Sequence, residues 1–122
     1  MKKLILICGL LASSFSFGAD WVTIDDSHDG ETQFDVSSIK KLPNNLRLVW
    51  HRGVTRSDDE KITYITLRSE INCTMETLQN NDIYIDVNNA RILQNRIDNP
   101  KPFSPPPDSG GQKLIHAVCK AP

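Results

Sequence analysis

Three sets of residues in this chain have types and spacings that could do chemistry. Asp25, Ser27, Asp29 and Gly30 match the opening of a calcium loop, in which alternate oxygens meet a hard cation and glycine permits the sharp turn. The bidentate glutamate that such a loop needs at its twelfth position is replaced by Val36, and the flanking residues favour strands over helices. An ordinary hairpin turn is therefore expected there, with no metal. The three histidines, His28, His51 and His116, stand far apart, and none lies in an HxH or HExxH spacing. Each is expected on the surface. Ser109-Gly110-Gly111 lacks the frame of a nucleophile elbow and the lysine of a phosphate loop, and reads as the start of a helix. No catalytic residue and no cofactor are assigned. An enzyme working through His51 or the Asp25 to Asp29 stretch would need a concave pocket with converging titratable groups.

The cysteines carry more information. Met1-Lys2-Lys3 is a short positive segment, Leu4 to Ala12 is apolar, and Ser13 to Ala19 is small and polar, which is the order of a secretory signal peptide. Ser16 and Gly18 supply the small side chains for cleavage, so residues 1–18 are expected to leave and Ala19 to begin the mature chain. The apolar run is about half the roughly 20 residues that span a bilayer, and no transmembrane segment is expected. Cys8 lies inside the apolar run after Ile7, where a lipid-attachment site would have a small residue, and goes with the signal. Cys73 and Cys119 then remain in an oxidising compartment, and an even pair there reads as a disulfide. Closing a loop of about 46 residues is worth about 4 kcal/mol in the chain-entropy account.

With 122 residues the chain has room for one domain, here residues 19–122. Lys+Arg 14 against Asp+Glu 15 gives a net charge of −1, without the basic excess of a nucleic-acid binder. Without Lys2 and Lys3, 12 basic residues face 15 acidic ones, so the exported chain is mildly acidic at −3.

The elements that must position these residues are mostly strands. Trp21 to Ile24 and Thr32 to Val36 form a hairpin around Asp25 to Gly30. Ser37-Ser38-Ile39 closes this unit. Pro43-Asn44-Asn45 marks a turn into a strand with Leu46, Leu48 and Trp50 on one side and Arg47 and His51 on the other. Arg56 to Glu60 is a charged hairpin tip. Lys61 to Met75 reads as one long half-buried strand that places Ile65, Leu67, Ile71, Cys73 and Met75 on a single face. A further hairpin joins Ile83-Tyr84-Ile85 to Arg91 through Ile97 around Asn88-Asn89, with a bulge expected at Asn80-Asn81-Asp82. Pro100, Pro102, Pro105, Pro106 and Pro107 make an extended strap; its PxxP match, Pro102 to Pro105, reads as a stiff connector before a docking motif. Asp108 or Ser109 then caps a helix with Leu114, Ile115, Val118 and Cys119 in one apolar stripe. The fold class is α+β, an antiparallel sheet with a C-terminal helix packed on it and stapled by one disulfide. Trp21 and Trp50 are expected in its core, with exposed binding anchors as the alternative.

Trp21, Phe34-Asp35-Val36-Ser37-Ser38-Ile39, Val49-Trp50, Ile71-Asn72-Cys73, Pro105-Pro106-Pro107-Asp108-Ser109-Gly110-Gly111 and Val118-Cys119, in that order, resemble the surface-adhesin protein E-like domain of Gram-negative bacteria. The resemblance covers nearly all of the mature chain. It implies about six antiparallel strands, a helix near the C-terminus tied by Cys73–Cys119, pairing as a homodimer, and adhesion to host extracellular-matrix proteins. Two features depart from it. The name-giving type is lipid-anchored whereas Cys8 stands in no lipid-attachment motif, and the segment from Ile83 to Ile97 holds only Arg91 and Arg96 as basic residues. The expected function is an exported, non-enzymatic binding module, an adhesin for host matrix. A soluble periplasmic protein that binds, stabilises or inhibits an envelope component is the alternative, with no nucleic acid as partner in either case.

Overall fold

Asparagine-rich turns and alternating side chains divide the described residues into seven strands and one helix. In order these are β1 (Trp21–Ser27), β2 (Gly30–Asp35), a 3-10 turn (Val36–Ser38), β3 (Lys40–Leu42), β4 (Leu46–Arg56), β5 (Ile62–Asn72), β6 (Thr77–Val87), β7 (Ala90–Arg96) and α1 (Gly110–Lys120). The computed structural model describes residues 19–27 and 30–122. The signal-peptide reading of residues 1–18 lies outside the described residues, as do His28 and Asp29. Among the described residues no helix is long and apolar enough to cross a membrane.

All strand pairs are antiparallel, in the order β1-β2-β4-β5-β6-β7, with the short β3 beside the first half of β4. The expected sheet, helix and disulfide are therefore all present, and the strand beyond the expected six is β3. The turns follow their residues. Asn88 and Asn89 both take left-handed backbone (φ 49 and 67) between Val87 and its partner Ala90, the geometry a two-residue hairpin requires and asparagine tolerates. Asn44 and Asn45 do the same between β3 and β4. Gly30 opens β2 at φ 154, and a Cβ there would collide with the carbonyl oxygen of Val54.

One face of the sheet carries the core. Phe34, Val49, Ile71 and Leu78, from β2, β4, β5 and β6, meet Leu114, Ile115 and Val118 of α1. Each such side chain contributes about 1.5–3 kcal/mol on burial. Ser109 caps the helix by accepting from the Gln112 N–H at 3.2 Å, while the Gln112 Oε1 accepts from the Asp108 N–H at 2.7 Å, a reciprocal cap. The disulfide joins Cys73, just after β5, to Cys119 in the last turn of α1. At the other end of the helix, Lys113 Nζ donates to Asp25 Oδ1 at 2.9 Å, which holds the Lys113 ammonium above its ordinary pKa. The proline strap is pinned to the start of β6, where Leu78 and Phe103 exchange both backbone hydrogen bonds at 2.9 Å.

Three expectations need correction. The long strand ends at Asn72, and Met75 sits two-thirds exposed in the tight turn to β6, because the Asn72 carboxamide accepts from the Thr74 and Met75 N–H groups and bends the chain. His51 is not on the surface: it shares the helix-covered face with Val49 and is 7% exposed. Trp21 and Trp50 are outside the core, because the helix lands on the Val49 side of β4 and leaves the Leu46, Leu48 and Trp50 side open.

Candidate functional site

Among the described residues, those singled out for chemistry do not converge. Asp25 faces α1 and is taken by Lys113, while Ser27 Oγ donates to the Gly30 carbonyl at 3.2 Å. Among the described residues no three His, Cys, Asp or Glu side chains are placed to hold a metal ion. His116 is exposed and meets Glu76 at 2.9 Å. Ser109 spends its hydroxyl on the helix cap and the Pro106 carbonyl. His51 Nε2 lies 2.7 Å from Ser69 Oγ, a distance a nucleophile and its base would have, yet Ser69 is fully buried and donates to Asn80 Oδ1 at 2.6 Å. With the one hydroxyl proton spent on Asn80, the imidazole Nε2 is the donor to Ser69 and cannot take a proton from it.

What does converge is the face of the sheet opposite the helix. The register places Trp21, Trp50, Tyr64 and Tyr84 on it, from four different strands, and the chain has only these two tryptophans and two tyrosines. All four are half-buried. Two β-bulges are responsible for part of this. The register shift between Thr23 and Asp25 lets Trp21 look outward while Asp25 looks toward the helix. The extra residue Asn81, within the expected Asn80-Asn81-Asp82 bulge, leaves Asn80 on the core side opposite Ser69 and turns Asp82 and Tyr84 outward, opposite Arg68 and Thr66.

Arginines thread between the rings. The Arg52 guanidinium lies 4.0 Å from the Trp21 ring centroid and 4.6 Å from that of Tyr64, and its Nε donates to Gln33 Oε1 at 2.7 Å. Burial presses the Arg52 pKa below the ordinary guanidinium value, against the opposing pull of Tyr64 and Glu31. Trp50 and Tyr84 are tilted against each other at 5.6 Å, with Arg68 over Trp50 at 5.9 Å and Arg91 over Tyr84 at 4.9 Å. Around this row the charges are mostly matched: Arg91 with Asp86 at 2.6 Å, Arg56 with Glu31 at 3.1 Å, and Arg96 with Asp82 at 3.5 Å. The Arg56 hydrogen bond holds the Glu31 carboxyl below its usual range.

Clefts open on the same face. One of about 320 Å³ lies between the 3-10 turn, β3 and Trp50, and another of about 350 Å³ lies beside Arg52, Tyr64 and Arg91. Rigid rings and guanidinium groups standing half-exposed over shallow clefts can grip a partner's side chains at low entropic cost. Sequence reading singled out Trp21 and Trp50 but missed Tyr64, Tyr84 and the arginines. The signal was there in the even-numbered positions of the two long central strands, Trp50, Arg52, Tyr64, Thr66 and Arg68, which all share one face once the pairing register is known. In comparisons with protein-family models, with curated proteins and with solved structures, nothing matches this chain.

Proposed function

We propose that this protein is an exported, non-enzymatic binding module that grips a protein partner with the helix-free face of its sheet. The observation that carries this reading is the gathering of every tryptophan and tyrosine, interleaved with arginines, on the one face that the helix leaves open. Interfaces are enriched in these residue types, whereas a sheet face that only met solvent would have no need of them. The Cys73–Cys119 bond suits a chain that folds outside the reducing cytoplasm.

The resemblance to surface-adhesin protein E-like domains makes a host-matrix protein the first partner to try. An envelope component is the second. Protease shaving of intact cells separates the two, because digestion with a periplasmic control preserved supports the adhesin, and protection supports the envelope partner. The binding face itself is tested by a photo-cross-linking residue placed at Tyr64 or Tyr84, and for comparison at Lys120 on the helix. Adducts from the sheet positions alone are expected; adducts from the helix position alone would overturn the proposal. The homodimer that the resemblance implies is read by sedimentation at micromolar concentration.

A further inference from the structure

The cleft beside Trp50 has a charge pattern unlike the rest of its face. Ser37, Lys40, Leu48, Trp50 and Arg68 line it, and no acidic residue does. Elsewhere on the face Arg56, Arg91 and Arg96 each have a carboxylate, and Arg52 is enclosed by Trp21, Tyr64 and Gln33. Arg68 and Lys40 differ. Among the described residues neither side chain makes an ion pair within 4 Å or a hydrogen bond, and the Arg68 guanidinium lies 5.9 Å from the Trp50 ring centroid. Asp82 stands opposite Arg68 in register but is drawn to Arg96, and Glu70 stands opposite Leu48 without lining the cleft.

We infer that this cleft receives an aspartate or glutamate side chain of the partner protein, held by Arg68 and Lys40 with its methylene stem against the Trp50 ring. The inference rests on the reading of the helix-free face as a protein-binding surface. A guanidinium offers a planar pair of N–H donors that fits a carboxylate, and half-burial beside an aromatic wall strengthens the attraction relative to open water. The space, about 320 Å³, suits one or two side chains. A sulfated polysaccharide is a poorer fit, because it needs a track of free cations and the neighbouring arginines are already neutralised on their own sheet.

The test uses the oxidised full-length mature protein and four probes: a capped hexapeptide of alternating glutamate and glycine, its glutamine counterpart, inorganic phosphate and a heparin oligosaccharide. Binding is followed by NMR at the Trp50 indole N–H and the Arg68 Nε–H. The glutamate peptide should shift both signals saturably and the glutamine peptide should not. Arg68→Gln should weaken binding about 10-fold and Lys40→Gln less, while Lys120→Gln, exposed on the helix, should leave it unchanged. Equal binding of the two peptides, full affinity in Arg68→Gln, or tighter binding of phosphate or heparin than of the glutamate peptide would overturn the inference. Cross-linking from Tyr64, outside the cleft, separates the two levels of the proposal. Adducts from Tyr64 with a silent glutamate peptide would remove the carboxylate site and keep the binding face. Peptide binding without adducts from Tyr64 or Tyr84 would remove the face and leave an isolated carboxylate site.

Discussion

His51 Nε2 and Ser69 Oγ meet at 2.7 Å beneath the helix, on neighbouring central strands, and Ser69 passes its own proton to Asn80 on the next strand. This three-residue chain satisfies polar groups that the core would otherwise leave stranded. An Nε2–H donor is present in the neutral and the charged ring alike, so burial alone pushes the His51 pKa down, to about 4. A folded-state pKa below the unfolded value of 6.5 means that the stabilisation is complete above pH 6.5 and is lost as the pH falls toward 4. The full difference is worth about 3 kcal/mol. Urea unfolding at steps between pH 7.5 and 4 should show that loss, and His51→Gln should flatten it within this window. An unchanged slope in the variant would place the titration elsewhere.

Arg52 should matter to stability as well as to binding. Its guanidinium fills the space between Trp21 and Tyr64, so Arg52→Ala removes two cation–π contacts and the Gln33 hydrogen bond together. A loss of about 1–3 kcal/mol is expected, with Arg52→Lys intermediate because an ammonium lacks the planar surface that stacks between rings. Denaturant midpoints of the three proteins check the order, and Trp21 fluorescence should shift in Arg52→Ala.

The staple supplies a large share of the total. Replacing Cys73 and Cys119 with serine, or reducing the bond, should cost about 2–4 kcal/mol and lower the melting temperature by many degrees. Calorimetry of the oxidised and reduced protein reads this directly. Equal melting temperatures would mean that the core holds the helix without it.

Gly30→Ala tests a backbone constraint. At φ 154 the residue lies where side chains are strained, and the new methyl group would press on the Val54 carbonyl of the neighbouring strand. A cost of about 1–3 kcal/mol is expected, measured by denaturant unfolding, whereas Gly53→Ala, whose Cβ would meet only the Glu31 carbonyl oxygen at 4.0 Å, should cost less.

Local chemistry made much of this fold readable in the sequence. The asparagine pairs 44–45 and 88–89 mark turns because asparagine tolerates left-handed backbone, Ser109 marks a helix start because its hydroxyl can cap, and Cys73 and Cys119 pair once Cys8 is read as part of a leader. The choice of buried face was less legible. In β4 the alternation points to the wrong face, because Leu46-Leu48-Trp50 is wholly apolar yet stays open while Arg47-Val49-His51 faces the helix, and the decision belongs to a helix more than 50 residues away. For the same reason His51 looks like a surface histidine until its strand is seen beneath Val118 and its neighbours. The binding face needs still more. Its four rings come from β1, β4, β5 and β6, and they share a face only through the pairing registers and two bulges, quantities that no single segment contains.

Cys73 and Cys119 also make the second half of the molecule a closed covalent ring. β6, β7, the proline strap and most of the helix lie on that ring. A single peptide-bond cut within it, at Arg91 in the exposed edge strand or Lys101 in the strap, leaves one covalently continuous molecule rather than two. Nicked protein therefore runs as an intact chain on a gel until it is reduced, and a protease must cut outside the ring, or twice within it, before any piece can leave.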